Sequence, residues 1–236
     1  MARPMRYPLP LRPARLVRRY KRFLADVAFD DGAVATAHCA NSGSMDGLAV
    51  PGAEVWLSPA RAPGRKLAGT WELERAGGGL VGVHAAFANA LAAEAIAAGR
   101  IPALAGYPDL RREVRYGRAS RVDFVLGGGG RPDCYVEVKN VHLKRGEAAA
   151  FPDAVTARGA RHLAELAAVA ASGGRAAMLY IVQREDCGVF RIAEDVDPAY
   201  AAALRAALAA GVEVFCHACR VGTDAVELDR PLPVDL

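Results

Sequence analysis

The segments most informative about the fold are Tyr135-Val136-Glu137-Val138-Lys139 and Arg121-Val122-Asp123-Phe124-Val125, the second of which precedes the first across a glycine-rich turn. Both segments alternate apolar and polar residues, a pattern typical of strands, in which successive side chains point to opposite faces. Glu137 and Lys139 therefore share one face, and the valines between them occupy the other. If the two strands form a hairpin across the glycine turn, Asp123 lies beside Glu137.

Asp123 and Glu137 are candidate metal ligands, and Lys139 is a candidate catalytic cation. Two carboxylates held together repel each other unless a cation lies between them, and Mg²⁺ or Mn²⁺ prefers such oxygen ligands, completed by water and phosphate. The lysine can then orient the attacking water or stabilise negative charge that develops on the phosphate. The competing interpretation is a surface ion pair, the more common role of an acid and a lysine on a strand.

An acid followed by Glu-x-Lys on a central strand resembles the motif of the PD-(D/E)xK nuclease superfamily, although Val122 stands where that motif usually has proline. In that superfamily, polar residues of the following helix often face the metal and the phosphate. Arg158 and His162 are four residues apart in a helix predicted over residues 156–171, and they therefore share a face. Both are candidate catalytic residues, with a surface charge as the alternative for Arg158.

Glu94 is a third candidate metal ligand. It lies in a helix predicted over residues 87–98, which ends at Gly99 as helices commonly do. The alternative role for Glu94 is a solvated helix acid.

The periodicity divides the chain into two parts. Residues 1–84 contain five predicted strands separated by turns, over 14–29, 33–38, 53–58, 69–75 and 80–84, which favour a small all-β barrel of the OB-fold type. From residue 85 onward, strands alternate with helices, which indicates an α/β domain. The expected fold class is therefore α/β with an all-β N-terminal part. It combines an OB-fold barrel over residues 1–84 with an α/β domain over residues 85–236, which the motif indicates to be restriction-endonuclease-like.

Positive charge is concentrated near the N-terminus. Residues 1–100 hold 13 Lys and Arg against 8 Asp and Glu, while the net charge of the whole chain is only +4. The first 22 residues contain no acid and eight basic side chains, namely Arg3, Arg6, Arg12, Arg15, Arg18, Arg19, Lys21 and Arg22. Such an arm favours a polyanionic partner, because neutralising phosphates releases counterions. A solvated, partly disordered N-terminus is the alternative.

The candidate DNA-binding surface combines these cations with a polar loop. Residues 41–45, Asn-Ser-Gly-Ser-Met, suit a tight turn that presents backbone N–H groups and hydroxyls. We expect this loop to face the nucleic acid or the metal site across the domain junction. The candidate stacking residues are Tyr20, Phe23, Trp56 and Trp71, with core packing as the commoner role of the tryptophans. The expected DNA-binding set is Arg18, Arg19, Lys21, Arg22, Asn41, Ser42, Arg65 and Lys66.

Further segments, in the same order along nearly the whole chain, carry a family resemblance. They are Arg19-Tyr20-Lys21-Arg22-Phe23-Leu24-Ala25-Asp26, His38-Cys39-Ala40-Asn41-Ser42-Gly43-Ser44-Met45, Pro51-Gly52, Val55-Trp56, Thr70-Trp71-Glu72-Leu73, Ala88-Asn89, Tyr135-Val136-Glu137-Val138-Lys139, Phe151-Pro152-Asp153-Ala154-Val155-Thr156-Ala157-Arg158-Gly159 and His162-Leu163. Together they resemble the sugar fermentation stimulation protein A (SfsA) family. The resemblance implies an OB-fold followed by a restriction-endonuclease-like domain, DNA binding with little sequence preference, and a regulatory link to sugar (maltose) metabolism.

The chain departs from the family pattern at a few positions. Ala40 and Ser42 replace a proline and a threonine, and His84 stands where asparagine is frequent. Asn140 and His142 replace a serine and a threonine after the Glu-x-Lys. The departures leave the candidate metal ligands and Lys139 in place, so they concern loop geometry near the site.

The composition argues against a membrane or secreted protein. The chain contains no run of roughly 18 apolar residues that would span a bilayer. The basic residues 18–22 interrupt the position where a signal peptide would be apolar. Five cysteines without framework spacing suit a reducing compartment. We therefore expect a cytoplasmic protein.

Two functions remain open. The first is a Mg²⁺-dependent (or Mn²⁺-dependent) DNA nuclease that uses Asp123, Glu137 and Lys139. The second is a non-catalytic DNA-binding regulator of sugar (maltose) metabolism that retains a nuclease-like fold. The intact set of acids and lysine favours chemistry, because a pure binder has no physical need for clustered acids that face phosphates. Both functions require DNA, single- or double-stranded, and the sequence leaves the oligomeric state open.

Overall fold

The N-terminal part folds as a closed five-stranded barrel. The computed structural model describes residues 5–60, 66–117 and 120–236. Its first strands are β1 (Met5–Arg6), β2 (Arg12–Tyr20), β3 (Leu24–Ala28), β4 (Val34–Cys39), β5 (Glu54–Pro59), β6 (Gly69–Ala76) and β7 (Gly79–Gly82). The sheet order is β4-β3-β2-β5-β6-β7, and β4 also pairs with β6, which closes the barrel. This order, with the third barrel strand closing on the fifth, is the OB-fold expected from the sequence, and that expectation is confirmed.

Two barrel strands differ from those predicted. Residues 14–29 form a hairpin of β2 and β3 instead of one strand, because Lys21 and Arg22 turn the chain with left-handed φ values of 49° and 62°. Non-glycine residues rarely adopt this conformation, so no turn residue marks the hairpin in the sequence. The strand predicted over 80–84 is β7, which extends the sheet beyond the closure.

The C-terminal part is an α/β domain built on a seven-stranded sheet. Its helices are α1 (Phe87–Ala97), α2 (Ala157–Ala171) and α3 (Pro198–Ala209), with a 3-10 turn at Pro102–Leu104. Its strands are β8 (Asp109–Tyr116), β9 (Ser120–Gly127), β10 (Cys134–Val141), β11 (Leu143–Arg145), β12 (Ala148–Phe151), β13 (Arg175–Val182), β14 (Val189–Ile192), β15 (Glu213–Val221), β16 (Ala225–Pro231) and β17 (Val234–Asp235). The large sheet has the order β1-β16-β15-β13-β10-β9-β8, and β11-β12-β14-β17 form a smaller one.

Strand β13 lies at the centre of the large sheet and is buried on both faces, as its apolar sequence indicates. Its side chains contribute alternately to two cores, one beneath α1 and one beneath α2 and α3. It pairs in parallel with β10 and β15. The strand that carries Glu137 and Lys139 is therefore held between a buried neighbour and the antiparallel β9.

Helix α2 begins at a fixed point. Thr156 caps it by accepting a hydrogen bond from the Gly159 backbone N at 3.1 Å, and Asp197 accepts one from the Thr156 backbone N at 2.7 Å. A Cβ at Gly159 would lie 2.9 Å from Thr156 Oγ1 and 3.0 Å from Tyr200, so the absence of a side chain lets this turn approach α3. These contacts set the position of His162, one turn further along.

The boundary expected after residue 84 falls between β7 and α1, but one strand crosses it. β1, from the first residues that the structure describes, pairs with β16 in the sheet of the C-terminal part. No helix among the described residues is long and apolar enough to span a membrane. The five cysteines are all free and buried.

Candidate functional site

Asp123 and Glu137 lie side by side on neighbouring strands. Val136 is opposite Phe124 in the antiparallel pair of β9 and β10, so Glu137 and Asp123 follow at the next positions. Asp123 Oδ2 accepts a hydrogen bond from the backbone N of Val138 at 2.7 Å. The structure thus brings the two carboxylates together at the point where the strands stop pairing.

Glu137 is buried, with 3% of its surface exposed, and its two oxygens have different surroundings. Oε1 accepts a hydrogen bond from Lys139 Nζ at 2.6 Å and a short one from His162 Nδ1. Oε2 is buried without a hydrogen-bond partner among the described residues. A buried carboxylate oxygen left without a partner is costly, so this oxygen can accept a further hydrogen bond or a cation.

The two carboxyl groups differ in pKa. Burial is the main cause that raises the pKa of Asp123 to about 6, and the charge of Glu137 adds to it. Hydrogen bonds from Val138 and Asn89 lower the pKa but do not offset this rise. Burial would also raise the pKa of Glu137, but the hydrogen bond from His162 and the charge of Lys139 outweigh burial and hold it below its ordinary value. Glu137 is therefore the ionised partner, and Asp123 titrates close to neutral pH.

His162 connects Glu137 with Arg158. The ring is 3% exposed, its Nδ1 donates to Glu137, and its Nε2 accepts a hydrogen bond from Arg158 Nε at 3.3 Å. Arg158 itself is exposed on the surface of α2. Both candidates from α2 thus lie near the site, and His162 contacts it through Glu137.

Asn89 approaches Asp123 from α1, a contact that the sequence reasoning missed. Its Nδ2 donates to Asp123 Oδ1 at 2.7 Å. The available signal was that Asn89 and Glu94 are the two polar residues in an otherwise apolar helix. Glu94, chosen as a ligand from the sequence, lies five residues further along and on another side of the helix. Its carboxylate is 3.9 Å from Arg100 and neighbours Glu227, so the structure does not bring it to Asp123.

The donor set fits a hard divalent cation. Asp123 and Glu137 offer carboxylate oxygens, and Glu137 Oε2 has no other partner within the described ranges. No set of three His, Cys, Asp or Glu side chains suitable for a metal occurs in the part of the chain that the structure describes. A structural zinc site, which needs four protein ligands, is therefore not formed there, whereas Mg²⁺ is commonly held by one or two carboxylates with water and phosphate.

The predicted DNA-binding cations have different surroundings. Arg18 is paired with Asp26 at 2.8 Å, and Arg19 donates to the backbone carbonyls of Ser44, Arg22, Asn41 and Gly43. Arg19 therefore holds a loop instead of lying free. Lys21, Arg22 and Lys66 are exposed, and Arg22 also donates to the Ser42 backbone carbonyl at 3.3 Å. Arg3 and Arg65 lie outside the described residues.

The loop over residues 41–45 packs into the domain junction. Ser44 Oγ donates to the Asp153 carbonyl at 2.6 Å, and the Met45 backbone N donates to Asp153 Oδ2 at 3.2 Å. Asn41 is 4% exposed, with Nδ2 bonded to the Val83 carbonyl at 3.1 Å and 3.5 Å from His142 Nδ1. The Asn41 amide is therefore buried and bonded within the protein, and its contact with DNA stays a prediction. Ser42 remains exposed.

The aromatic candidates divide into core and surface residues. Trp71 is fully buried in the barrel, and Trp56 is half-buried beneath Arg75, whose guanidinium lies 5.3 Å from the ring centre. Phe23 is 47% exposed, and Arg22 lies 5.9 Å from its ring centre. Tyr20 is half-buried beside Arg18, at 4.8 Å. Phe23 and Tyr20 are thus the stacking candidates available to a ligand.

Comparison with known proteins covers both parts of the chain. Residues 17–83 match the SfsA N-terminal OB domain, and residues 86–225 match the sugar fermentation stimulation protein RE domain. A sugar fermentation stimulation protein homolog of Paramagnetospirillum magneticum is 57% identical, over 98% of both chains. The homolog of Rhodospirillum centenum is 60% identical over 97% of this chain and 98% of its own.

A solved structure supports the same assignment. Pyrococcus furiosus SfsA, determined in complex with Ca²⁺, is 26% identical, covers 100% of both chains and superposes with a TM-score of 0.88. The order of barrel and α/β domain, the two matched domains and the full-length relatives agree. The chain therefore belongs to the sugar fermentation stimulation protein (SfsA) family.

Proposed function

We propose that this protein binds DNA with little sequence preference and hydrolyses phosphodiester bonds at a divalent-metal site formed by Asp123 and Glu137. The observation that carries the proposal is the buried, unpaired Glu137 Oε2 beside Asp123, with Lys139 on the same carboxylate. Such an arrangement has little value for folding, because it sets two buried carboxylates against each other. It suits a cation and the phosphate bound to it.

The metal would supply Lewis-acid polarisation of the phosphate and a more acidic bound water. Asp123 and Glu137 would hold it, with Asn89 and the Val138 backbone orienting Asp123. Lys139 has its ammonium 2.6 Å from Glu137, where it can stabilise charge on the phosphate in the transition state. His162 and Arg158 fix the orientation of Glu137 as an outer layer of hydrogen bonds.

The Pyrococcus furiosus relative supports the choice of metal class. It was solved in complex with Ca²⁺, a hard cation that takes oxygen ligands at 2.3–2.6 Å. Mg²⁺ prefers the same oxygen chemistry with shorter bonds of about 2.0–2.1 Å, and it keeps several waters. We therefore assign Mg²⁺ or Mn²⁺ as the working ion and Ca²⁺ as a binding substitute.

DNA is the proposed partner because of the cations exposed on the barrel. Lys21 and Arg22 form the β2–β3 turn next to the exposed Phe23, so that charge and an aromatic ring are presented together. Electrostatic contact with phosphates and stacking on aromatic rings are sequence-tolerant. A cytoplasmic location agrees with five cysteines that are free and buried.

The proposal is tested by incubating supercoiled plasmid and single- and double-stranded oligonucleotides with the protein in Mg²⁺, Mn²⁺ or Ca²⁺. Nicking should require Mg²⁺ or Mn²⁺, and Asp123→Asn and Glu137→Gln should abolish it. Lys139→Met should retain metal binding, measured by calorimetry, and slow cleavage by about 10²-fold or more, as for loss of one charge-stabilising group. Glu94→Gln is the matched control, since its carboxylate faces Arg100, and it should cleave normally.

The same experiment separates the two candidate functions. Wild-type protein that binds metal and DNA and cleaves none of these substrates would establish the non-catalytic regulator. Metal binding that survives both Asp123→Asn and Glu137→Gln would remove the site itself from the proposal.

A further inference from the structure

A second site is a cavity of about 710 Å³ between the barrel and the start of the α/β domain. Its walls come from three parts of the chain: the barrel strands at His38 and Thr70, the segment leading into α1 at His84 and Phe87, and the N-terminal segment at Tyr7. Cavities of this size at domain junctions are typical of small-ligand sites.

One wall of the cavity is a stack of rings. The rings of His84 and Phe87 are stacked with centroids 4.3 Å apart, and Tyr7 lies 5.6 Å from Phe87 at a tilt of 37°. Aromatic rings in this arrangement bind flat, apolar groups with little loss of side-chain freedom. The wall therefore favours a planar ligand.

Polar groups of the cavity are held in place for hydrogen bonding. Glu72 is 3% exposed, and its two oxygens are fixed by Ser58 Oγ and His84 Nδ1, each at 2.6 Å. With Nδ1 bonded to Glu72, His84 retains Nε2 for another partner. The Tyr7 hydroxyl is buried and has no hydrogen-bond partner among the described residues. A ligand with ring nitrogens and carbonyls could satisfy such groups.

The charged residues of the cavity differ in sign and in exposure. Lys66 and Arg6 line the cavity and are exposed, and Arg6 lies 3.6 Å from the exposed Asp224. The acid of the cavity, Glu72, is buried and already bonded on both oxygens. The opening is therefore suited to an anionic group, while the interior is suited to a planar heterocycle.

We propose that this cavity binds one unstacked nucleobase, with its phosphate at Lys66. The inference rests on DNA as the proposed partner, and it adds that the bound strand is unpaired at this position. The first turn of α1 reaches both sites, since Phe87 lines the cavity and Asn89 bonds Asp123. A helix with its side chains is about 10–12 Å across, so the cavity and Asp123 are within reach of a few nucleotides of one strand. One strand could thus place a base in the cavity and a phosphate at the carboxylates.

The test measures the binding of single-stranded oligonucleotides that carry one 2-aminopurine, without added metal. Binding is measured by fluorescence anisotropy, and insertion of the base by fluorescence quenching. Thr70→Trp fills the cavity from the barrel wall, and it should weaken binding at least tenfold and abolish quenching. His38→Ala combined with Lys66→Ala removes polar contacts without adding bulk, and it should weaken binding as well. Val34→Trp, at a position 67% exposed on the same barrel and outside the cavity, should behave as wild type.

Titration with free deoxyadenosine monophosphate and with inorganic phosphate completes the experiment. Quenching by the wild-type protein, with the mononucleotide competing and phosphate alone competing far less, is the expected result. Wild-type binding and quenching in both Thr70→Trp and the double variant would overturn the cavity proposal and leave the proposed function standing. Equal competition by phosphate would overturn recognition of the base. Absence of all oligonucleotide binding would instead overturn the proposed function, and mononucleotide binding that Thr70→Trp blocks would then still support the cavity.

Discussion

At the scale of single residues, Glu74 is a buried acid whose ionisation opposes folding. It is 1% exposed, and both carboxylate oxygens lie 3.0 Å from the Ala49 backbone N. Burial raises its pKa to about 7, against a lowering by the backbone N–H groups of Ala49 and Val50. The folded protein therefore keeps a proton that the unfolded chain releases between about pH 4.5 and 7. Stability should fall as the pH rises through this window.

Glu74→Gln should remove that dependence. At pH 8 the variant should be more stable than wild type by roughly 2–3 kcal/mol, and at pH 4 the two should be similar. Urea unfolding across this pH range measures the difference. Asp46→Asn, an exposed acid of the same barrel, should leave the pH profile unchanged. A Glu74→Gln variant that is less stable than wild type at pH 8 would contradict the assignment.

The residues of the candidate site were predictable where strand geometry alone decides. Glu137 and Lys139 share a face because side chains alternate along a strand, and Asp123 lies opposite because the connecting turn is short. The partners from α1 were not predictable in the same way. Asn89 and Glu94 are both polar residues of one helix, and only the tertiary packing of α1 on the sheet selects Asn89.

At the scale of elements, the loop over residues 41–45 fits against the C-terminal domain without room for a side chain at Gly43. A Cβ there would lie 2.2 Å from Asp153 Oδ2, an oxygen that accepts from the Met45 backbone and lies 3.3 Å from His142. Gly43→Ala should therefore displace Asp153 and destabilise the protein by about 1–3 kcal/mol. Gly79→Ala, with no atom within 4 Å of the added Cβ, is the matched control.

A double-mutant cycle distinguishes this clash from a general effect of alanine. Asp153→Ala removes the atom that the new methyl group meets, so Gly43→Ala should cost little more when it is added to Asp153→Ala. Additive losses in thermal or urea unfolding would show that the loop does not dock on Asp153.

The basic strand β2 and its turn divide into structural and accessible cations. Replacing Lys21 and Arg22 with alanine should weaken DNA binding for all sequences and reduce the slope of log affinity against log salt by about 1 for each phosphate that is no longer neutralised. Arg19→Ala should instead lower the melting temperature, because its guanidinium holds four backbone carbonyls. Fluorescence anisotropy over a salt series, with unfolding curves for each variant, measures both effects. An unchanged salt slope in the Lys21/Arg22 variant would contradict a binding role for the turn.

Element predictions succeeded where patterns are periodic and were wrong where backbone conformation is unusual. The double burial of β13 follows from its continuous apolar sequence, and α2 follows from its helical spacing. The β2–β3 turn gave no such signal, since Lys21 and Arg22 take left-handed φ values without glycine. Neutralisation of the basic arm was also missed, because Asp26 and Glu54 come to lie opposite Arg18 and Arg15 only when β3 and β5 pair with β2.

At the scale of the whole molecule, the domain order could be predicted because a barrel and an α/β unit have different periodicities. How the two parts join could not. The junction depends on Asn41, Ser44 and Asp153, whose contacts span about a hundred residues of sequence. The N-terminal strand β1 crosses to the far sheet for the same reason, since pairing with β16 is decided by the assembled fold. The cavity is formed by this assembly and has no signature in any one segment.

Metal binding should be linked to the stability of the whole protein through the two carboxylates. A ligand that binds only the folded state at about 100 times its Kd adds about 2.7 kcal/mol, which for a chain of this length corresponds to a melting temperature higher by about 5–10 °C.

Without metal, Asp123→Asn should itself stabilise the protein at pH 8, on the order of 1–2 kcal/mol, because it removes a buried charge that Glu137 repels. Glu137→Gln should destabilise it, since Lys139 and His162 lose their anionic partner. Calorimetric scans in chelator and in Ca²⁺ measure both effects, and each variant should lose the metal-dependent shift that Glu94→Gln retains. If the two carboxylates share one cation, the variants should have opposite effects on stability in chelator. Both should then lose the stabilisation that the metal gives to the wild-type protein. Destabilisation by Asp123→Asn in chelator, or a preserved Ca²⁺ shift in either variant, would show that the carboxylates do not act as one site.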